Sequence, residues 1–287
     1  MKDKFKNNFK EFFDNFIKVL KRPEMSILPG QLAYYFVLAL VPTITLIGYG
    51  AAWLNLSTDI IFNFIEKAFS SDVANLLLNT SNVVQNKGIG FMFAVLMGYF
   101  IASNGPASII VTANNIYGEE QNSFFIRRMK AIIMTFILVL LFIFMLIVPI
   151  FGDKIIELFQ YVNMSSSVTD KVEYIITLLQ GPITWLIIYF FIKILYTIAP
   201  NKKIKSKSVG YGAIFTSISW ILITYIYSYY INNIAHYTTF YGGLANIIVL
   251  MVWIYFLSFA FTIGMALNYR KEEIELEKTG TINVNNS

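Results

Sequence analysis

Six stretches of this chain are apolar over about twenty residues or more, the length an α-helix needs to cross roughly 30 Å of hydrocarbon. They run from about Gly30 to Leu54, Gly88 to Ala113, Ala131 to Phe151, Tyr174 to Ala199, Val209 to Ile231 and Leu244 to Asn268. None of the 17 Asp and Glu residues falls inside any of them, and Lys193 is the only basic residue that does. Backbone inside lipid must satisfy its own hydrogen bonds, which helices do and open sheets do not. Hydrophobic residues make up 56% of the chain and charged residues only 14%, against about a quarter charged in a soluble domain. Disordered chains are charge-rich and poor in aromatics, whereas 17% of this chain is aromatic. The expected fold is an all-α integral membrane protein with six transmembrane helices.

Lys and Arg placement supplies an orientation. Seventeen of the 22 lie in the N-terminal arm, the second loop (Arg127, Arg128, Lys130), the fourth loop (Lys202, Lys203, Lys205, Lys207) and the C-terminal tail, against four in the alternate loops. By the positive-inside rule both termini are expected in the cytoplasm. The chain then divides into a cytoplasmic amphipathic arm (1–29), a six-helix membrane domain (30–269) and a cytoplasmic polar tail (270–287). No signal peptide is expected, because the arm has no continuous apolar core. Its Phe5, Phe9, Phe12, Phe13, Phe16, Ile17 and Leu20 recur at helical spacing among lysines. That pattern suits a helix lying in the membrane interface or one packed against the end of the bundle. The first outer loop, Asn55 to Lys87, is long enough for short outer-face helices. No internal repeat is evident.

Chemistry is scarce. There is no cysteine and one histidine, His236, so thiolate chemistry and clustered zinc ligands are not expected. GxSxG and phosphate-loop motifs are absent. The chain is therefore read as a non-enzyme without metal or cofactor. Carboxylate-coupled pumps keep acids inside the bundle, and this chain has none there. The basic residues sit where topology needs them, so nucleic acid is not an expected partner, and membrane lipids are.

A few residues interrupt the apolar spans. Ser103-Asn104-Gly105-Pro106 should kink or break the second span, because proline removes a donor and clashes with the preceding turn. Asn104, Gly105 and Pro106 are read either as a structural kink or as polar backbone lining a cavity; Pro42 and Pro149 make weaker cases. Lys193 either snorkels to nearby headgroups or anchors an anionic headgroup. Tyr225 and Tyr229 belong to a tyrosine-rich fifth span that could line a groove. Asn246 and Gln31 are amides suited to bridging helices.

Several motifs resemble the YihY/BrkB family. They are Ala33-Tyr34-Tyr35 with Ala39-Leu40-Val41-Pro42, Asn115-Ile116-Tyr117-Gly118, and Ala199-Pro200-Asn201-Lys202-Lys203 followed by Gly210. Tyr241-Gly242-Gly243-Leu244, Trp253-Ile254-Tyr255 and Gly264 complete the set. The family often carries Gly-Ala-Glu-Leu-Asn at the end of the last span; here Gly264-Met265-Ala266-Leu267-Asn268 puts Ala266 where that glutamate is usual. The resemblance implies a six-span, multi-pass protein of the bacterial cytoplasmic membrane. Some members have been labelled ribonuclease BN, a label that the missing metal ligands argue against here. Family-level suggestions favour movement of lipids or other amphiphiles. A transporter or flippase-like protein is therefore the leading expectation, with a non-transporting scaffold or envelope-integrity factor as the rival.

Overall fold

The computed structural model describes residues 14–53, 89–140, 166–233 and 243–278, all of them helical apart from short connections. In chain order the helices are α1 (14–20), α2 (Glu24–Trp53), α3 (Ile89–Ala102), α4 (Asn104–Tyr117), α5 (124–140), α6 (Ser166–Ile198), α7 (Gly210–Asn233) and α8 (Gly243–Lys278). Among the described residues, four stretches are long and apolar enough to cross a membrane: Leu96–Tyr117, Gly181–Ile198, Gly210–Tyr230 and Ile248–Ile274. The suggested outer-face helices, residues 1–13 of the arm, Pro149, His236, Tyr241 and Gly242 lie outside the described residues, as does the second half of the third expected span.

The expected interruption of the second span is present as the junction of α3 and α4. It is a one-residue kink at Ser103 (φ −68°, ψ −3°) rather than an unwound gap. Hydrogen bonds from Ser103 N to Tyr99 O (3.1 Å) and from Ala107 N to Ser103 O (3.0 Å) carry the ladder across it. Pro106, which has no N–H, deprives Ala102 O of its usual donor. Gly105 lets α4 cross α2 closely: a Cβ there would stand 3.0 Å from the Phe36 ring.

Helix ends converge on one side of the bundle, the basic end. Arg22 before α2 bonds Glu273 near the end of α8, the end of α4 packs on α8 through Tyr117 and Tyr269, and the start of α5 reaches the end of α6 through Lys130. The largest fully buried side chains, Tyr196, Phe261, Leu32, Ile109 and Ile110 among them, lie toward this end. Further along, α3, α5, α6, α7 and α8 expose large apolar side chains such as Phe93, Phe136, Leu178, Leu222 and Phe256. That exterior suits hydrocarbon and not water. In the described part of the arm Val19 is fully buried, and Phe16 meets Phe215 of α7 with ring centroids 5.9 Å apart, while Ile17 and Leu20 are exposed.

The tightest contact joins α7 to α8. A Cβ on Gly212 would collide with the Gly264 carbonyl oxygen, and one on Gly264 with Thr216 Oγ1 and the Tyr196 hydroxyl. Small residues permit this approach, as at many helix crossings in membranes. Around it, Tyr196 OH donates to Phe261 O (2.6 Å) and shares a 2.7 Å hydrogen bond with Thr216 Oγ1, while Gly212 N donates to Asn268 Oδ1 (2.7 Å). Gly212→Ala and Gly264→Ala should each destabilise the protein by about 1–3 kcal/mol, the usual cost of overpacking. Gly30→Ala, where nothing lies within 4 Å of a new Cβ, should leave the melting temperature in detergent nearly unchanged.

Candidate functional site at the basic end

Two of the family-like motifs meet here. Gly118 ends α4 in the left-handed conformation (φ 65°). Its N–H donates to Asn115 O (3.4 Å), and Glu119 N donates to Asn114 O (2.8 Å). This is a Schellman closure, which needs a residue that accepts positive φ, and it explains the glycine of Asn115-Ile116-Tyr117-Gly118. The Asn114 side chain then bonds in two directions, donating to Gln121 Oε1 (3.1 Å) and accepting from Asn201 N (2.9 Å). Asn201 also donates to Glu120 O (2.7 Å) and accepts from Asn122 (2.8 Å). The loop after α4 is thereby latched to the Pro200-Asn201 loop after α6. Lys130 completes the latch, donating to Ala199 O (2.7 Å) and Pro200 O (2.8 Å). Burial lowers the pKa of Lys130 below the ordinary lysine value.

The end of α8 supplies the ionic part. Glu273 accepts from Arg22 (3.0 Å) and Arg270 (3.1 Å), and Glu272 pairs with Lys202 at 2.8 Å. Arg22 also lies 4.9 Å above the Tyr269 ring, which meets Tyr117 edge-on at 5.3 Å. These groups are about a quarter to a third exposed, so their worth is mainly orientation and modest energy. Beside them opens a cavity of about 510 Å³, between the start of α2 and the end of α4, with Gln31 and Asn115 in its wall.

The kink has a partner that the sequence reading missed. Arg128 Nη1 donates to Asn104 Oδ1 (2.8 Å), Nη2 donates to Phe100 O, and the guanidinium lies 3.5 Å from the Phe100 ring centroid. Ser103 Oγ donates to the same Phe100 carbonyl (2.7 Å). In the sequence Arg128 reads only as a topology charge; its spacing to Asn104, across a loop, carries no periodic signal.

The remaining candidates do not join this cluster. Lys193 is partly exposed on α6, with Nζ 5.7 Å from the Tyr189 ring centroid. Tyr225 and Tyr229 stand on the exterior of α7, at 73% and 58% exposed, whereas Tyr227 turns inward onto Trp253. Tyr34 is exposed beside Tyr35, Pro42 lies within α2, and Asn246 lies in the first turn of α8. Trp253 Nε1 donates to Thr224 (3.3 Å). Gly264 is the close-approach residue described above.

The apolar exterior and the long apolar helices are those of a multi-pass membrane protein. The chain belongs to the BrkB family, whose model, described as "Virulence factor BrkB", matches residues 16–283. It is 32% identical over 242 residues to the putative ribonuclease-like protein YfkH of Bacillus subtilis, covering 83% of this chain and 87% of that one. It is 23% identical to a UPF0761 membrane protein of Alteromonas mediterranea, over 86% and 82% of the two chains. A 90-residue stretch is 31% identical to a UPF0761 membrane protein of Idiomarina loihiensis, about a third of each chain. No solved structure matches.

Asn114→Ala leaves the Asn201 backbone N–H and Gln121 Oε1 without their partner. It should lower stability by about 1–3 kcal/mol, read as a fall in melting temperature. Opening of the 118–122 and 199–202 loops should appear as faster backbone hydrogen exchange, confined at first to those loops.

Proposed function

We propose that this protein moves an amphiphile, a lipid being the leading class, across or within the bacterial cytoplasmic membrane. In this reading it spans the bilayer six times, with the basic end in the cytoplasm and both termini there. The observation that carries the proposal is the polar kink at Ser103–Pro106, set in an otherwise apolar helix and held by Arg128. Such a kink gives a headgroup a polar foothold within a span, and a guanidinium that bonds to it from another helix can exchange those bonds for a phosphate. The apolar exterior of α6 and α7, with Lys193 and the outward Tyr225 and Tyr229, supports a path along the lipid-facing surface. We read the chain as a non-enzyme that does not act on nucleic acid. Among the described residues no group of three or more His, Cys, Asp or Glu is placed to hold a metal ion, and the ribonuclease-like name is that of YfkH.

A second reading, a non-transporting scaffold, is favoured by one observation. The candidate path residues engage separate partners, Asn104 with Arg128 and Lys193 with Tyr189, while α7 and α8 interlock at Gly212 and Gly264. Reconstitution into vesicles with a fluorescent phospholipid reporter decides between them. Wild type should equilibrate reporter between leaflets, with Asn104→Leu, Arg128→Gln and Lys193→Leu each slowing it by about tenfold, the effect of roughly one lost charge-assisted contact. Background rates in wild type and all three variants would leave the scaffold.

A further inference from the structure

Lys193 is a cation set inside an apolar span without an acid to meet it. It stands five residues before Ile198, the end of α6, about 7 Å in at 1.5 Å per residue. Among the described residues no carboxylate pairs with it. Its ammonium rests instead 5.7 Å from the Tyr189 ring centroid, close to the outer limit of such a contact. Lys193, Tyr189 and Trp185 follow one another at spacings of four and share a stripe of α6. Trp185 stacks on Tyr189 with centroids 6.0 Å apart and planes at 24°, which fixes the phenol ring. The Tyr189 hydroxyl reaches the first residue of α7, 3.4 Å from where a Gly210 Cβ would stand. It makes no hydrogen bond among the described residues. All three residues of the stripe are half-buried, so an ammonium and a hydroxyl donor are open together at the seam of α6 and α7.

We propose that this seam binds the phosphate of an anionic phospholipid, with Lys193 supplying the charge and Tyr189 a hydrogen bond. The neighbouring stripe of α6, formed by Ile194, Phe190 and Leu186, is exposed. It runs alongside the headgroup residues and gives an acyl chain an apolar track. The charges around the seam decide between headgroups. Lys205 and Lys207 are exposed in the loop that leads into Gly210, and Lys202 beside them is already paired with Glu272. The ammonium of a choline or ethanolamine headgroup would find no carboxylate on the described stripe. A headgroup of net negative charge gains from Lys193 and from the loop lysines together. The proposal deepens the amphiphile reading by naming the headgroup, and rests on it only for the lipid's being cargo and not a resident of the seam.

The test titrates the full chain, in detergent, with dihexanoyl-phosphatidylglycerol, dihexanoyl-phosphatidylcholine and glycerol phosphate. Saturable binding of the glycerol lipid is expected, about tenfold or more tighter than the choline lipid. Lys193→Gln should abolish that preference, Lys193→Arg should keep it, and Tyr189→Phe should weaken the glycerol lipid about fivefold. Glycerol phosphate binding as tightly as the lipid would support a phosphate site and overturn its assignment to a lipid. Equal affinity for the two lipids in wild type, or the full preference persisting in Lys193→Gln, would overturn the proposal. Tyr189→Phe removes one hydroxyl and keeps the ring on Trp185. It decides the question should Lys193→Gln fail to fold, as judged by melting temperature and gel filtration, and wild-type affinity there would then overturn the site. Selective binding without lipid movement in vesicles would end the transport reading and leave this site standing.

Discussion

The packing of the described helices depends on how closely α7 and α8 approach. Without side chains at Gly212 and Gly264, the backbones come near enough for the Gly212 N–H to reach Asn268 Oδ1. Tyr196 of α6 can then place its hydroxyl against the Phe261 carbonyl and Thr216. Apolar burial between helices contributes little in lipid, so association there relies on close packing and interhelical hydrogen bonds. This crossing supplies both at one level of the bundle. Trp220, donating to Leu257 O at 2.9 Å, extends the same register one turn further. With α6, α7 and α8 joined in this way, the ends of α2, α4 and α5 have a fixed frame on which to converge.

That frame gives the motif residues at the basic end a physical meaning. The Asn-x-Tyr-Gly element is a helix stop: Gly118 provides the left-handed residue, Tyr117 the packing onto Tyr269, and the preceding Asn114 the latch to Asn201. The Pro-Asn-basic loop is the other half of the latch, and its Lys202 finds Glu272. Loops with fixed polar geometry on a rigid scaffold are common places for function. The amide-lined cavity lies against one side of this latch.

Much of the fold can be read from the chain because apolar length and proline act locally. The helical intervals track the apolar runs, and the kink falls at Ser103-Asn104-Gly105-Pro106 as the missing proline donor dictates. The cross-chain pairings are not legible. Arg128 and Asn104 are 24 residues apart, Asn114 and Asn201 are 87 apart, and neither pair has a periodic signature. Gly212 gives no signal of its own, since a glycine in an apolar span looks the same whether it faces lipid or another backbone. Composition alone groups Tyr225 and Tyr229 with Tyr227. Helical spacing puts Tyr227 on a different face from the other two, and only packing shows which face is inward.

Ala266 shows how these levels combine. It is fully buried and shares a helical stripe with Thr262, Tyr269 and Glu273, by spacings of four, three and seven residues. Tyr269 and Glu273 on that stripe both engage Arg22. A glutamate at 266 would stand about one turn inside this cluster, desolvated and in need of a partner. In this chain the carboxylate of the stripe is Glu273, two turns nearer the helix end, where Arg22 and Arg270 already satisfy it. Glu273 and Glu272 thus serve to hold the arm and the Lys202 loop, respectively. Under the transport reading proposed above, the driving force falls to the amphiphile's own distribution or to groups other than a buried acid on the last helix.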